Sequence, residues 1–325
     1  MEGGSPSDIM HYNTIIHSLC QEGLVTEALK FFSGMVDKGI SPTVVSYNCL
    51  IQGTCYLGQW KEATRLLNEM VERQIAPNLR TFTILVDGLC KEGMVGEAQV
   101  VVESMIQRGE EPDVFIYNAL MDGYCSGGQM NKALEVFDVM VARNCAPNIV
   151  SCNILIDRYC KSYRINEATC LLQEIYRKGL IPTNFTYNIL IRGLCLAGRL
   201  QTAQELLDEM HVRGCLPDLI TYNTLLDGLC RNQHVKEAAT LFQAMQGSKL
   251  NPDIITSNIF IDGLCNAGKV GVAKDIFCSL STERIQPDVQ THNIMINGLC
   301  KEGLLGEADN LFKEMGKYGL SSDEC

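Results

Sequence analysis

Cysteine is the residue type in this chain with the most obvious chemistry, because sixteen are present and nine of them follow a strict interval. No Cys-x-x-Cys pair occurs, so the usual spacing of zinc ligands is absent. If each of the nine belongs to one of a row of helices packed roughly 10 Å apart, neighbouring thiols lie beyond the ~7 Å limit for a disulfide. We therefore expect small buried thiols between helices and a reducing compartment. The nine, 35 residues apart, are Cys20, Cys55, Cys90, Cys125, Cys160, Cys195, Cys230, Cys265 and Cys300.

Two polar positions recur at the same interval. Side chains of this kind can hydrogen-bond to a ligand, and they also cap helices and form turns. Serine, which caps equally well, occurs at neither position. The first position holds Asn13, Asn48, Thr83, Asn118, Asn153, Asn188, Asn223, Asn258 and Asn293, and the second holds Thr43, Asn78, Asp113, Asn148, Thr183, Asp218, Asp253, Asp288 and Asp323.

Proline reveals the elements that position these residues. Eight of the nine prolines are 35 residues apart: Pro42, Pro77, Pro112, Pro147, Pro182, Pro217, Pro252 and Pro287. A fixed period of about 20–50 residues is typical of a repeat array. In a register that ends one residue after each proline, nine units follow without gaps: 9–43, 44–78, 79–113, 114–148, 149–183, 184–218, 219–253, 254–288 and 289–323. Residues 1–8 are expected to be the remnant of a preceding unit, since Gly4 and Asp8 match a unit's late glycine and last residue, and residues 324–325 form the C-terminal end.

The seventh unit shows how one repeat folds. Apolar residues recur at steps of three and four over 219–231, which predicts a helix whose start Thr221 or Asn223 can cap. A second helix is predicted over about 235–246, and Pro252 closes the unit. Each unit is therefore expected to be a pair of antiparallel helices, and the fold class is an all-α solenoid.

Glycine recurs inside the first helix, where it costs about 1 kcal/mol relative to alanine. Its repetition indicates close approach between helices. The positions are Gly53, Gly88, Gly123, Gly193, Gly228, Gly263 and Gly298. A Glu-Ala step early in the second helix, as in Glu27-Ala28, pairs a solvated acid with a small core residue and indicates no acid–base chemistry.

Composition limits the function classes. The net charge of −11 argues against a sequence-blind nucleic-acid binder, which needs a basic surface, although a local basic stripe remains compatible with it. The chain has no Walker loop, no nucleophile elbow and no zinc-deaminase signature, so we expect neither an enzyme nor a cofactor or metal. Apolar runs are too short for a membrane span, and no small-molecule substrate is expected.

The unit resembles the pentatricopeptide repeat in its P-type form. The resemblance covers residues 9–323 and rests on the period of 35, the run Thr-Tyr-Asn-x-Leu-Ile-x-Gly-Leu-Cys-Lys, the Glu-Ala step, the late Met-x-x-x-Gly and the Pro-Asp end. The style of the repeats is similar to restorer-of-fertility-like members, which act in plant mitochondria. It implies a right-handed superhelix of eighteen helices that binds single-stranded RNA, one base per repeat.

By this resemblance, the fifth and last residues of each unit specify the base, and these are the two polar columns given above. Asn with Asp implies U, Asn with Asn implies C over U, Thr with Asp implies G, and Asn with Thr implies a pyrimidine. With the N-terminus toward the 5′ end of the RNA, the implied site is 5′-YCGCYUUUU-3′.

Two further columns are implied to contact RNA. The second residue of each unit flanks the base, and most are apolar or aromatic: Met10, Val45, Arg80, Phe115, Val150, Phe185, Ile220, Ile255 and Gln290. The cations that end four first helices resemble the phosphate-contacting position, although the helix dipole alone also favours a cation there: Lys91, Lys161, Arg231 and Lys301.

The main alternative is a tetratricopeptide-type solenoid that binds a protein or peptide, although its period is about 34 and the one tryptophan here, Trp60, lies outside its pattern. A self-associating structural array is a third reading. For the RNA-binding reading, an RNA-processing protein is a further expected partner. The expected location is the mitochondrion, with the chloroplast as alternative. Because residues 1–6 lack the composition of a targeting peptide, we expect a piece of a longer protein.

Overall fold

The computed structural model describes residues 6–246, 250, 252–282 and 285–317, and all regular structure in them is α-helical. The first helices of the units are α1 (Pro6–Gln21), α3 (Val44–Tyr56), α5 (Leu79–Lys91), α7 (Val114–Ser126), α9 (Ile149–Lys161), α11 (Asn184–Leu196), α13 (Leu219–Arg231), α15 (Ile254–Asn266) and α17 (Val289–Lys301). The second helices are α2 (Val25–Asp37), α4 (Trp60–Glu72), α6 (Val95–Gln107), α8 (Met130–Ala142), α10 (Ile165–Arg177), α12 (Leu200–Val212), α14 (Val235–Gln246), α16 (Val270–Thr282) and α18 (Leu305–Lys317).

The helices follow the 35-residue register, and the all-α repeat fold is confirmed. The two helices predicted for the seventh unit coincide with α13 and α14. At the N-terminus, α1 begins three residues before the first unit, and Asp8 lies in its first turn rather than ahead of the helix. None of the helices in the described segments has the length and apolar character to cross a bilayer.

The chain forms two compact bodies, Met1–Arg158 and Tyr159–Cys325. In the first body, α1, α3, α5 and α7 pack in sequence against one another, and each also packs against its own second helix. In the second body, α11, α13, α15 and α17 form an equivalent layer. First helices therefore present one repeating surface within each body.

The turn between paired helices depends on a left-handed residue. Gly58 has a φ of +66° there, and its N–H donates to the Cys55 carbonyl at 3.0 Å. Glycine adopts this conformation without a Cβ penalty. Tyr163 and Gln233 take its place in the fifth and seventh units, with φ values of 58° and 63°.

The second helix of each unit contributes a small and a large side chain to the core at two recurring positions. An alanine early in the second helix is buried in every unit, and a methionine late in the same helix is buried in seven units. The buried alanines are Ala28, Ala63, Ala98, Ala133, Ala168, Ala203, Ala238, Ala273 and Ala308. The buried methionines are Met35, Met70, Met105, Met140, Met210, Met245 and Met315.

The recurring glycine and cysteine form the contact between consecutive first helices, as their spacing predicted. A Cβ placed on Gly53 would lie 2.7 Å from the Cβ and the Sγ of Cys20. At Gly228 the corresponding distance to Sγ of Cys195 is 2.3 Å. Both thiols are free and buried. In the fifth unit, Arg158 stands at the glycine position.

Candidate nucleic-acid interface

The last residue of a unit is the N-cap of the next first helix. Asp218 precedes α13 in an extended conformation, and its Oδ1 accepts from the backbone N–H of Thr221 at 2.9 Å. The prediction that Thr221 or Asn223 caps this helix is therefore wrong, because the helix begins at Leu219 and both residues lie inside its first two turns. Asn78, Asp113, Asn148, Asp253 and Asp288 accept from the backbone of the following helix in the same way.

The third residue of the following helix completes a capping box. Its hydroxyl accepts from the backbone N–H of the cap, as Thr221 does from Asp218 at 3.2 Å. The same bond recurs in seven junctions, in which the accepting hydroxyl belongs to Ser46, Thr81, Ser151, Thr186, Thr221, Thr256 or Thr291. Two orphan donors per helix start are thereby satisfied.

The fifth residue lies one turn further along each first helix, and in seven units its amide oxygen either accepts from a neighbouring hydroxyl or is buried. Asn48, Asn118, Asn153 and Asn258 are buried, whereas Asn13, Thr83, Asn188, Asn223 and Asn293 are half-buried. The hydroxyl of the next unit's third residue reaches the amide oxygen in three junctions. The pairs are Ser46 to Asn13 at 2.7 Å, Thr81 to Asn48 at 2.8 Å and Ser151 to Asn118 at 2.6 Å.

The two polar columns meet through the amide nitrogen. Nδ2 of Asn48 donates to Oδ1 of Asn78 at 3.4 Å, and Nδ2 of Asn118 donates to Oδ1 of Asn148 at the same distance. Asn258 does the same to Asp288, again at 3.4 Å. The fifth and last residues of one unit are 30 positions apart in sequence, and these bonds bring them side by side.

This arrangement decides which polar atoms remain for a ligand. An amide nitrogen carries two protons, and one is directed at the last residue, so the second remains for an outside acceptor. Where the last residue is Asp, one carboxylate oxygen caps the helix and the other remains as an acceptor. Where it is Asn, Oδ1 caps and the NH₂ group remains as a donor. A unit with this bond therefore presents a short, fixed pattern of donors and acceptors.

Two of the capping carboxylates, Asp218 and Asp288, are held ionised. Burial alone would raise the pKa of Asp288, but hydrogen bonds from the Thr291 backbone and hydroxyl and from Asn258 outweigh it, so that the pKa is lowered. Asp218 behaves alike: burial opposes the charge, while hydrogen bonds from Thr221, Asn184 and Asn188 lower its pKa. Both side chains are acceptors at neutral pH.

The third unit departs from this pattern. Thr83 occupies the fifth position and donates its hydroxyl to the Leu79 carbonyl of its own helix at 2.8 Å. The next unit has Ile116 where the others carry a hydroxyl, and Asp113 caps through the backbone N–H groups of Phe115 and Ile116. The cap therefore forms without the hydroxyl of a capping box.

The second residues are solvent-exposed in all nine units. Large apolar side chains are rarely exposed in a regular row, and here the exposed fractions reach 64% for Phe115 and Phe185 and 65% for Ile220. They project from the first turn of the helix that carries the fifth residue one turn later. This row provides flat or apolar surface beside each polar pair.

The predicted phosphate ligands end α5, α9, α13 and α17, as the sequence indicated. Lys91 forms an ion pair with Asp87 at 2.7 Å, and Arg231 forms one with Asp227 at 2.7 Å. Lys301 donates to Asn266 at 2.8 Å. Exposed ion pairs of this kind are worth at most about 1 kcal/mol, so they can exchange their partners for a phosphate.

The role of the third residues was not predicted from the sequence. Nor was the lack of a hydrogen-bond partner for the amide oxygen of the fifth residue in four of the described units. In the described part of the chain, Oδ1 of Asn153, Asn188, Asn223 and Asn258 is buried without a hydrogen-bond partner. The signal was available, because in the first eight units each Asn at the fifth position is followed 33 residues later by Ser or Thr, and the single Thr is followed by Ile. Asp323, the last predicted base-specifying residue, lies outside the described residues.

The cysteines do not form a metal site. Across the described ranges, no group of three or more His, Cys, Asp or Glu side chains is arranged to hold a metal ion. Burial, with the nearby charges of Asp227 and Asp262, raises the pKa of Cys230 to about 12. Burial and Asp87 raise that of Cys55 to about 12 as well. Eight of the nine periodic cysteines are buried packing thiols, as the sequence predicted. The prediction is wrong for Cys300, which is exposed because no later first helix packs on α17 in the described part of the chain.

The fold and its repeating polar edge define a helical-repeat protein, and comparison with known families gives the kind of repeat. The PPR repeat family matches residues 7–55, 42–91, 112–161, 147–196, 195–231, 217–266, 252–301 and 287–325. The PPR repeat itself matches residues 80–110. The chain therefore belongs to the PPR repeat family, the pentatricopeptide repeat proteins. No curated protein sequence matches it significantly.

Among solved structures, the chain is similar to the pentatricopeptide repeat protein PPR10 from maize, with a TM-score of 0.64 and 24% identity. The match covers 99% of this chain and 51% of that protein, so the chain spans about half the length of PPR10. The complex of PPR10 with an 18-nt psaJ RNA element matches with a TM-score of 0.49, 24% identity and coverage of 100% and 51%. Yeast Rmd9p in complex with 16-nt target RNA gives a TM-score of 0.45, 13% identity and coverage of 91% and 68%.

Proposed function

We propose that this chain binds single-stranded RNA in a sequence-specific manner, with one base per repeat. The observation that carries the proposal is the repeated juxtaposition of an exposed apolar second residue with a hydrogen-bonded pair of fifth and last residues. Stacking on an apolar or aromatic surface is worth about 1–3 kcal/mol per base and tolerates every base. The polar pair beside it supplies the discrimination.

The donor and acceptor pattern of each pair rationalises the proposed letters. In Asn258 with Asp288, the amide N–H faces a carbonyl of the base, and the ionised carboxylate accepts the N3–H of uracil. In Asn48 with Asn78, the capping residue offers NH₂ instead, which suits the N3 acceptor of cytosine. The proposed site is 5′-YCGCYUUUU-3′, in which the third letter rests on Thr83 with Asp113.

The negative net charge is compatible with this function. The exposed cations Lys91, Arg231 and Lys301 end first helices, on the helices that also carry the base-specifying residues. A phosphate that approaches one of these cations competes with Asp87, Asp227 or Asn266 for it. Lys161 occupies the same repeat position, so four first helices end in a cation although the chain is acidic overall.

We further propose that the protein is a P-type, restorer-of-fertility-like member that acts on a plant organellar transcript, in the mitochondrion or alternatively in the chloroplast. It would act by occupying its site, which blocks a nuclease or remodels a hairpin, or by recruiting an RNA-processing protein. Support for the subgroup comes from the Gly-Leu-Cys-Lys style of the repeats. A role in catalysis is not part of the proposal.

The proposed code is tested by a substitution that should change the base preferred by one unit. Asn223→Thr converts the seventh pair, Asn223 with Asp253, into the combination found in the third unit. We expect the preference at the seventh base to move from U toward G, while the preference at the eighth base, set by Asn258 and Asp288, stays constant as an internal control. An unchanged preference at the seventh base would count against the code in this chain.

A further inference from the structure

The third residue of each unit lies between two residues of the preceding polar pair. Thr81 Oγ1 is 2.8 Å from Oδ1 of Asn48 and 3.1 Å from Oδ1 of Asn78, and it accepts from the Asn78 backbone N–H at 3.2 Å. It is fully buried, so it does not touch a ligand itself. Its hydroxyl nevertheless contacts both side chains that are proposed to read the second base.

The Thr81 hydroxyl and Oδ1 of Asn78 together favour one orientation of the Asn48 amide, because its oxygen accepts from the hydroxyl while its nitrogen donates to Asn78. Rotation of the Asn48 side-chain amide by 180° would place NH₂ where Oδ1 now accepts from Thr81, and the N–H that faces the ligand would become a carbonyl. The two amide orientations present opposite hydrogen-bonding character to a base. The Thr81 hydroxyl favours the orientation in which a donor faces outward.

The same contact recurs in the first and fourth units, but not in the fifth, where Oδ1 of Asn153 has no partner among the described residues although the last residue is the uncharged Thr183. Ser46 reaches Asn13 and Ser151 reaches Asn118 at 2.7 and 2.6 Å. Thr83, which has no amide to orient, is followed by Ile116. Asp113 still caps its helix beside Ile116, so capping alone does not require a hydroxyl at the third position.

Where the helix cap is Asp, the hydroxyl of the third residue donates to a different acceptor. Thr221, Thr256 and Thr291 donate to the capping Asp at 2.9, 2.8 and 2.7 Å. In the preceding units of the described chain, Oδ1 of Asn188, Asn223 and Asn258 is left without a partner. Hydrogen bonds to an ionised acceptor are the stronger ones. The amide is instead oriented through its N–H to the carboxylate, from Asn258 to Asp288 and from Asn188 to Asp218.

We propose that the third residue is a specificity-determining positioning residue for the base read by the preceding unit when the last residue of that unit is Asn, and that it is a helix-capping residue alone when the last residue is Asp. This inference rests on the proposed RNA-binding function. It adds one residue to the letter of each unit that ends in Asn and assigns that residue to the following repeat.

The chain contains a matched pair for the test. Thr81→Val and Thr256→Val each remove a hydroxyl that accepts from a cap N–H, at 3.2 and 3.4 Å. Only Thr81 contacts the amide oxygen of the preceding unit. Affinities of the full chain are measured by fluorescence anisotropy for 5′-UCGCUUUUU-3′ and for the same RNA with adenine at the second or at the seventh base.

We expect Thr81→Val to lower the discrimination at the second base about two- to tenfold, the range that one net hydrogen bond provides. Discrimination at the seventh base should change less than twofold in Thr256→Val. Thr81→Ser, which restores the hydroxyl, should return the second base to the wild-type value. Circular dichroism melting of each variant measures the shared loss of the capping box.

Unchanged discrimination at the second base in folded Thr81→Val overturns the inference, as does an equal loss at the seventh base in Thr256→Val. If Thr81→Val does not fold, Ser151→Ala provides the same test at the fourth base, where Ser151 contacts Asn118. Wild-type protein that does not discriminate at the second base overturns the proposed function and this inference together. If the wild type does discriminate at the second base, the variants test this inference separately from the proposed function.

Discussion

Gly263 lies so close to Cys230 that a Cβ on the glycine would be 2.3 Å from the cysteine Sγ. The pair joins α15 to α13, and equivalent pairs join most consecutive first helices in both bodies. This contact sets how closely the first helices approach one another, and so it helps to set the spacing between the polar pairs of successive units. The helix-interior glycine costs about 1 kcal/mol in helix propensity, which the close packing offsets.

Gly263→Ala should therefore destabilise the chain by about 1–3 kcal/mol, the cost typical of an overpacked core. Urea unfolding followed by circular dichroism measures the change. Gly34→Ala is the matched control, because Gly34 is also inside a helix but has nothing within 4 Å of its added Cβ. That variant should be neutral or more stable by up to about 1 kcal/mol. Equal effects of the two substitutions would contradict the packing role.

The buried thiols predict a loss of stability in alkali. Burial and neighbouring carboxylates raise the pKa of Cys55, Cys90, Cys195 and Cys230 from 9.0 to about 12. Between these values the unfolded chain binds fewer protons than the folded chain, so the free energy of unfolding falls as pH rises from about 9 to about 12. Below pH 9 this contribution is fully present. The urea midpoint of unfolding, measured at pH 8, 9, 10 and 11, provides the test. A midpoint that does not change with pH would refute the raised pKa of the four thiols.

The capping carboxylates are expected to have two separable roles. Asp253→Asn keeps a good N-cap for α15, so stability should change little, but it replaces the free acceptor with a donor and should move the seventh base from U toward C. Asp253→Ala removes the cap and should cost about 1 kcal/mol. Melting and anisotropy on the same samples separate the effects. Retention of the U preference by Asp253→Asn would show that the last residue acts only as a cap.

The exposed second residues should matter for binding and little for folding. Phe185→Ala removes a side chain that is 64% exposed at the start of α11 and should weaken RNA binding by about 1–3 kcal/mol. Phe312→Ala is the matched control, since Phe312 is 52% exposed on the second helix α18. We expect the control to bind as the wild type does. Parallel loss in both variants would argue against a stacking role for the second residue.

Most of the fold was predictable from the period of 35 alone. The bounds of α13 and α14, the proline closures and the Gly–Cys contacts follow from residues that repeat without gaps, because each unit packs only against its neighbours. The cap of α13 was not predictable to the residue. Asp218, Thr221 and Asn223 are all good cap types, and the choice depends on where the helix starts to within one residue.

The hydrogen bonds of the site were harder to foresee than its residues. The polar pairs are visible in the sequence, but the hydrogen bond from Thr81 to Asn48 joins two units. The equivalent hydroxyl of Thr256 donates to Asp253 instead, because two acceptors compete for it. Such a choice is decided by local distance and charge. The sequence contains the correlation between the fifth and the following third residue, and the structure supplies its geometry.

The most direct test of the account is equilibrium binding of fluorescent 5′-UCGCUUUUU-3′ RNA, compared with 5′-AAUAAAAAA-3′, in reducing buffer at about 150 mM salt, because both affinity and specificity depend on ionic strength. The account predicts a clear preference for the first RNA, which would support the register of the units together with base-specific reading. Equal or absent binding of the two RNAs would contradict it and would favour a solenoid that binds a protein or peptide.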